Sequence, residues 1–206
     1  MKIFKNINAW LWPTKSRLKS ENLKVVVDTS ALLNKECFKK LLSVKHVFIP
    51  IAVWEQLGWI ATWGPVHAKD ELEKIVIKEV AQNVKSKIKK IFNNPKKKWD
   101  IIGSHGTGLV PKFAKRTLDD LEKTAKYKLI AHYRNRGEIL DFKETTWEDI
   151  LGIIDLRVLA TVYHFKDKSL GDNEELILLV RDTSMSILAY ELGIQAIPDL
   201  DKIKKT

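Results

Sequence analysis

The chain has 206 residues, 45% hydrophobic and 30% charged, with one cysteine (Cys37) and a formal net charge of +10. That length suits one domain of ordinary size, and a single thiol excludes an internal disulfide and a cysteine-rich zinc site and points to a reducing compartment. No run approaches the roughly 18 apolar residues of a membrane helix, and the basic amino-terminal residues around Trp10 and Trp12 lack the apolar core of a secretory signal, so the expectation is a cytoplasmic protein with no membrane partner.

Residues 1–22 read as a basic leader and 23–206 as the domain proper. The run Lys24-Val25-Val26-Val27-Asp28 has the β-branched pattern of a buried parallel strand and ends on a carboxylate. Thr29 and Ser30 then open a helix expected over 30–42, with Leu32, Leu33, Phe38, Leu41 and Leu42 inward. His46–Pro50 is a second strand, followed at once by the helix Ile51–Leu57, which carries Glu55. Strand, helix, strand, helix is the sequence form of βαβ winding.

From Gly64-Pro65 the character changes, and a helical insertion is expected at about 64–146. Its first helix spans 67–92, with the stripe Ile77, Val80, Ala81, Val84, Ile88 and Ile91. A loop follows that holds Lys96-Lys97-Lys98-Trp99 and the glycines from Gly103 to Gly108. A second helix is expected from Thr117 to near Gly137, completing a basic helical hairpin. The α/β pattern then resumes with a helix over 154–166, a buried strand over 175–182 ending on Asp182, a helix over 184–192 and a short strand over 194–197. The expected fold is three-layer α/β, with a parallel sheet of four or five strands.

Charge is spread unevenly along this order. Residues 65–136 hold eighteen basic and eight acidic side chains, whereas residues 137–206 hold eight and fourteen. A basic middle beside an acidic end suggests a polyanion partner, most simply nucleic acid, although lysine-rich helices also serve as plain solubility faces. Within the basic part, Lys85, Lys89, Lys90, Lys96, Lys97 and Lys98 would grip a phosphate backbone and Trp99 would stack on a base.

Asp28 and Asp182 both end apolar strands, and a parallel sheet brings such ends to the edge where open α/β folds place their ligand crevice. Glu55 lies one turn into its helix near that edge, and Asp155 opens the helix leading to the third strand. Each has an ordinary alternative, since strand-end aspartates cap helices and acids near helix starts favour the dipole. Glu148 and Asp149 lie close enough to Asp155 in sequence to stand in its place. An oxygen-rich cluster with no histidine pair at ligand spacing selects Mg²⁺ or Mn²⁺, ions suited to in-line attack on a phosphodiester. Two other motifs fail on their own chemistry. After the glycines 103–108, Leu109 and Val110 stand where a phosphate loop needs Lys and Ser or Thr. Asp28-Thr29-Ser30 lacks the second aspartate of a haloacid-dehalogenase phosphatase.

Four pieces, VVVDTSALL at 25–33, VFIPIAVWEQL at 47–57, IDLRVLA at 154–160 and LLVRDTSMSILAYELGIQAI at 178–197, together resemble a PIN-domain ribonuclease. The wording is similar to the PIN modules of PhoH-type proteins, and the long insertion resembles more loosely the compact protein-only RNase P group. The resemblance implies a metal-dependent endoribonuclease acting on RNA and leaving 3′-hydroxyl and 5′-phosphate ends. It places the metal ligands at Asp28, Glu55, Asp155 and Asp182, with Ser30 orienting the attacking water. A non-catalytic RNA-binding module and a toxin-type ribonuclease working with an antitoxin are the alternatives, and a homo-oligomer or a protein partner is compatible with either.

Overall fold

Val25, Val26 and Val27 have no solvent exposure at all, and the rest of the chain is layered about them. In the computed structural model, which describes residues 22–103, 147–169 and 174–202, they lie in β1 (Leu23–Val27), the central strand of a five-stranded sheet. The other strands are β2 (His46–Pro50), β3 (Lys98–Ile102), β4 (Glu175–Leu179) and β5 (Gln195–Ile197), in the order β3-β2-β1-β4-β5. Every pairing is parallel, with Val25 opposite Val47 on one side and Ile177 on the other. A parallel sheet is covered on both faces, which is why its central strands are unbroken apolar runs. Each such valine contributes roughly 1.5–3 kcal/mol on burial.

Among the described residues the α-helices are α1 (Thr29–Leu33), α2 (Lys35–Leu41), α3 (Ile51–Trp63), α4 (Glu71–Phe92), α5 (Trp147–Ser169) and α6 (Thr183–Glu191), flanking the sheet as the expected α/β layers. The chain winds outward from β1 to β2 and β3, then crosses back to β4 and β5 on the other side. Between β1 and β4 the winding therefore reverses, and at such a switch point the carboxyl ends of the strands open a crevice. The exits of these two strands are tied together, because the Asp28 N–H donates to the Leu179 carbonyl at 3.0 Å.

Three elements differ from the sequence expectation. The single helix over 30–42 is two helices, because Asn34 takes an extended conformation (φ −81°, ψ 117°) and its side chain accepts the Cys37 N–H at 3.0 Å. Asparagine competes for backbone groups inside a helix and does better as a cap. The helix before strand β4 starts earlier than 154, but Gly152, at φ 77° and ψ 153°, interrupts it. Only glycine takes that conformation without strain. The third change is the largest. Residues 98–102, expected in a loop of the insertion, form β3, paired in register from His46 opposite Lys98 to Pro50 opposite Ile102. Residues 71–102 are thus part of the sheet's own winding. The expected second helix near 117–137 and the residues of the glycine loop beyond Gly103 lie outside the described residues, as do positions 1–21.

Candidate active site

Asp28 leaves β1 in an extended conformation and is only 5% exposed. Its Oδ2 accepts the Ser30 N–H at 3.0 Å and the Ser30 hydroxyl at 2.6 Å, so it does cap α1 while facing the crevice. The Ser30 Oγ also accepts the Arg181 N–H at 3.2 Å, so a single hydroxyl bridges the two strand exits. Beside it, the Thr29 hydroxyl bonds the Gln56 side-chain oxygen and joins α1 to α3. Asp182 repeats the arrangement after β4. It is exposed, caps α6 and accepts the Met185 N–H on Oδ1 at 2.7 Å.

Asp155 enters from α5, half-buried and with its pKa pushed up to about 7, first by burial and then by the charges of Asp28 and Asp182. Asp28 is raised as well. Burial is again the main cause, the Ser30 hydrogen bonds oppose it, and Asp182 adds to it. Like charges disfavour one another's ionisation only when they share a space. The charges of Asp28 and Asp182 reach Asp155, and that of Asp182 reaches Asp28, so the three carboxylates are neighbours at the carboxyl ends of β1 and β4.

Glu55 has a basic partner. Its carboxylate is held by the Arg157 guanidinium at 2.7 Å. Arg157 lies two positions beyond Asp155, and residues so spaced on a helix point to different faces.

A family model described as PIN domain matches residues 25–198. The chain belongs to the PIN-domain family. PIN domains are generally nuclease modules that use divalent metal ions and act on RNA. No curated protein matches the chain.

Asp28, Asp155 and Asp182 supply hard carboxylate oxygens of the kind Mg²⁺ and Mn²⁺ take, and their mutual repulsion is the electrostatic demand that a divalent cation answers. They fit in donor type and in charge. As placed, no three Asp, Glu, His or Cys groups among the described residues could together hold one ion. The side chains of Glu148 and Asp149 lie outside the described residues.

The basic residues of this PIN domain are less uniform than their sequence suggests. Lys89, Lys90, Lys96 and Lys98 are exposed. Lys85 is half-buried, with its ammonium 5.2 Å from the centre of the Trp54 ring. Lys97 donates to the carbonyls of Leu42 and Val44 at 2.7 and 3.1 Å, which satisfies the chain between α2 and β2. Trp99 is a core residue, 5% exposed, and its Nε1 donates to Val44 at 3.2 Å. Its expected role as a stacking platform meets a physical obstacle, since the ring has no open face. Residues 96–99 also sit at the amino ends of the strands, beside His46, whereas the aspartates sit at the carboxyl ends. No helix among the described residues is long and apolar enough to cross a membrane.

Proposed function

We propose that this PIN domain is an endoribonuclease dependent on Mg²⁺ or Mn²⁺, hydrolysing RNA phosphodiesters to 3′-hydroxyl and 5′-phosphate ends. The observation that carries the proposal is the gathering of carboxylates at the switch point of the sheet, where burial first and then the charge of Asp182 raise both Asp28 and Asp155, and the charge of Asp28 adds to the rise of Asp155. When bound there, the divalent ion supplies charge neutralisation and Lewis acidity for in-line displacement at phosphorus. Asp28, Asp155 and Asp182 would hold it. Ser30 fixes the rotamer of Asp28 through Oδ2 and stands at the crevice to orient the attacking water. Glu55, paired with Arg157, is the remaining candidate ligand. A purely RNA-binding role leaves the gathering of three carboxylates, one of them deeply buried, without a use beyond the helix caps made by Asp28 and Asp182.

The test is cleavage of a structured RNA in Mn²⁺ by the wild type and by Asp28→Asn, Asp155→Asn and Glu55→Gln. The two aspartate variants are expected to lose more than the roughly 10–100-fold that loss of a supporting group gives. Equal rates for wild type and Asp28→Asn would sink the assignment. Glu55→Gln separates the roles, since a loss as deep as that of the aspartates makes Glu55 a ligand, and a shallow one leaves it a partner of Arg157.

A further inference from the structure

The far edge of the sheet, at the amino ends of the strands, carries a charge arrangement that the cleavage chemistry does not use. The register sets Lys24, His46 and Lys98 side by side on β1, β2 and β3. In-register neighbours on parallel strands face the same way, about 4.8 Å apart. Lys45 precedes His46, and Lys96 and Lys97 precede Lys98, so the row continues off the end of the sheet as a cationic stripe.

Some of these charges are already committed. Lys24 is paired with Glu174 at 2.6 Å, and Lys97 serves the carbonyls of Leu42 and Val44. Lys45, Lys96 and Lys98 are exposed to solvent. Their field is felt by His46, which lies below the ordinary histidine range through burial and then Lys98, Lys45 and Lys24, with Glu174 acting in the other direction. Three exposed lysines gathered at one edge, with Lys98 held in its strand by the buried Trp99 beside it, suit a polyanion.

We propose that this edge is an RNA exosite, gripping phosphates of the same strand whose scissile bond lies at the aspartate edge. The pairing of the two edges on one RNA rests on the nuclease reading above, whereas binding at the basic edge does not. RNA is favoured over an acidic protein segment because PIN domains act on RNA and the exposed Lys45, Lys96 and Lys98 present compact cations of the kind that bind phosphates. Five-residue strands separate the edges by on the order of 15 Å. A trinucleotide carries too few phosphates to occupy both edges at once, whereas an RNA of about 20 nucleotides carries enough.

The test uses the full chain carrying Asp28→Asn, without metal, so that RNA is bound and not cut. Fluorescence anisotropy is read for a labelled single-stranded RNA of about 20 nucleotides and for a trinucleotide, across a salt series. Adding Lys45→Gln, Lys96→Gln and Lys98→Gln is expected to weaken the longer RNA at least tenfold. It should also reduce the slope of log affinity against log salt by about 2, the value for three single-strand phosphates. Charge reversal at the same three positions should deepen both effects, with thermal melting showing that each variant is folded. Unchanged affinity and slope in folded variants would overturn the exosite. So would poly-glutamate binding the wild type as tightly as RNA, which would make the edge a surface for acidic protein. Wild-type cleavage of the longer RNA in Mn²⁺ is read in parallel. Its absence would count against the nuclease, while the anisotropy would still decide the exosite.

Discussion

Asp155 shows how a charge can work against the fold that holds it. In the unfolded chain its carboxyl gives up its proton near the ordinary value of 3.8, whereas in the folded protein it keeps it up to about 7. Between those values the folded state binds more protons, so stability falls as pH rises, and the loss is complete above the folded value. Asp28 shifts in the same direction. Asp155 alone should cost on the order of 2–4 kcal/mol at alkaline pH. Asp155→Asn in EDTA is therefore expected to melt above the wild type near pH 8 and level with it near pH 4; a lower melting point at pH 8 would contradict the repulsion. Ser30→Ala removes the hydroxyl that donates to Asp28 and accepts from Arg181. It should lower stability by about 1–3 kcal/mol in urea titrations, with Ser30→Thr recovering part of the loss. At this scale the strand-end aspartates were legible, because an apolar run that stops on a carboxylate is a local pattern. The Glu55–Arg157 pair was not, since its partners stand 102 positions apart and no local spacing joins them.

Elements were read well where periodicity was strong and poorly where it was short. The helix over 71–92 followed from its apolar stripe, with Ala81, Val84 and Ile88 buried as that stripe requires. Strand β3 was hidden by its composition, because three lysines and an aspartate among seven residues look like a loop. In fact Lys98, Trp99 and Asp100 alternate exposed, buried, exposed, the period of a strand at a sheet edge, where lysine also discourages unwanted pairing. This changes what Trp99 is expected to do. Trp99→Ala should lower stability by about 3–5 kcal/mol, as large core truncations do, and leave the salt slope of RNA binding unaltered when measured well below the melting point. A reduced slope with full stability would restore it to the RNA surface. The break between α1 and α2 was missed for a related reason. Leucines on either side of Asn34 keep helical spacing, and only the capping bond to Cys37 ends one helix and starts the next.

For the whole molecule, the α/β layers and parallel sheet were written in four apolar runs, while the fifth strand and the strand order had to come from the structure. Metal binding is the global measurement. If the three aspartates hold Mn²⁺, the ion should stabilise the protein by about 2.7 kcal/mol at a hundred times its dissociation constant, and Asp155→Asn should abolish the shift. No Mn²⁺-dependent change in melting for the wild type would remove the metal from the proposal. The sheet order also governs when the candidate site is assembled. β1 is made first among the strands, yet its neighbour β4 comes from the far end of the chain, and Lys24 meets Glu174 across 150 positions. Until β4 is synthesised and docks, one side of the central strand is an unpaired edge, and Asp28 has neither Asp155 nor Asp182 beside it. A nascent or truncated chain is thus without its full set of aspartates and prone to aggregate, and long-range parallel pairing makes that interval slow to close. Chaperone capture of chains lacking β4 would follow directly from the place of one strand in the sheet.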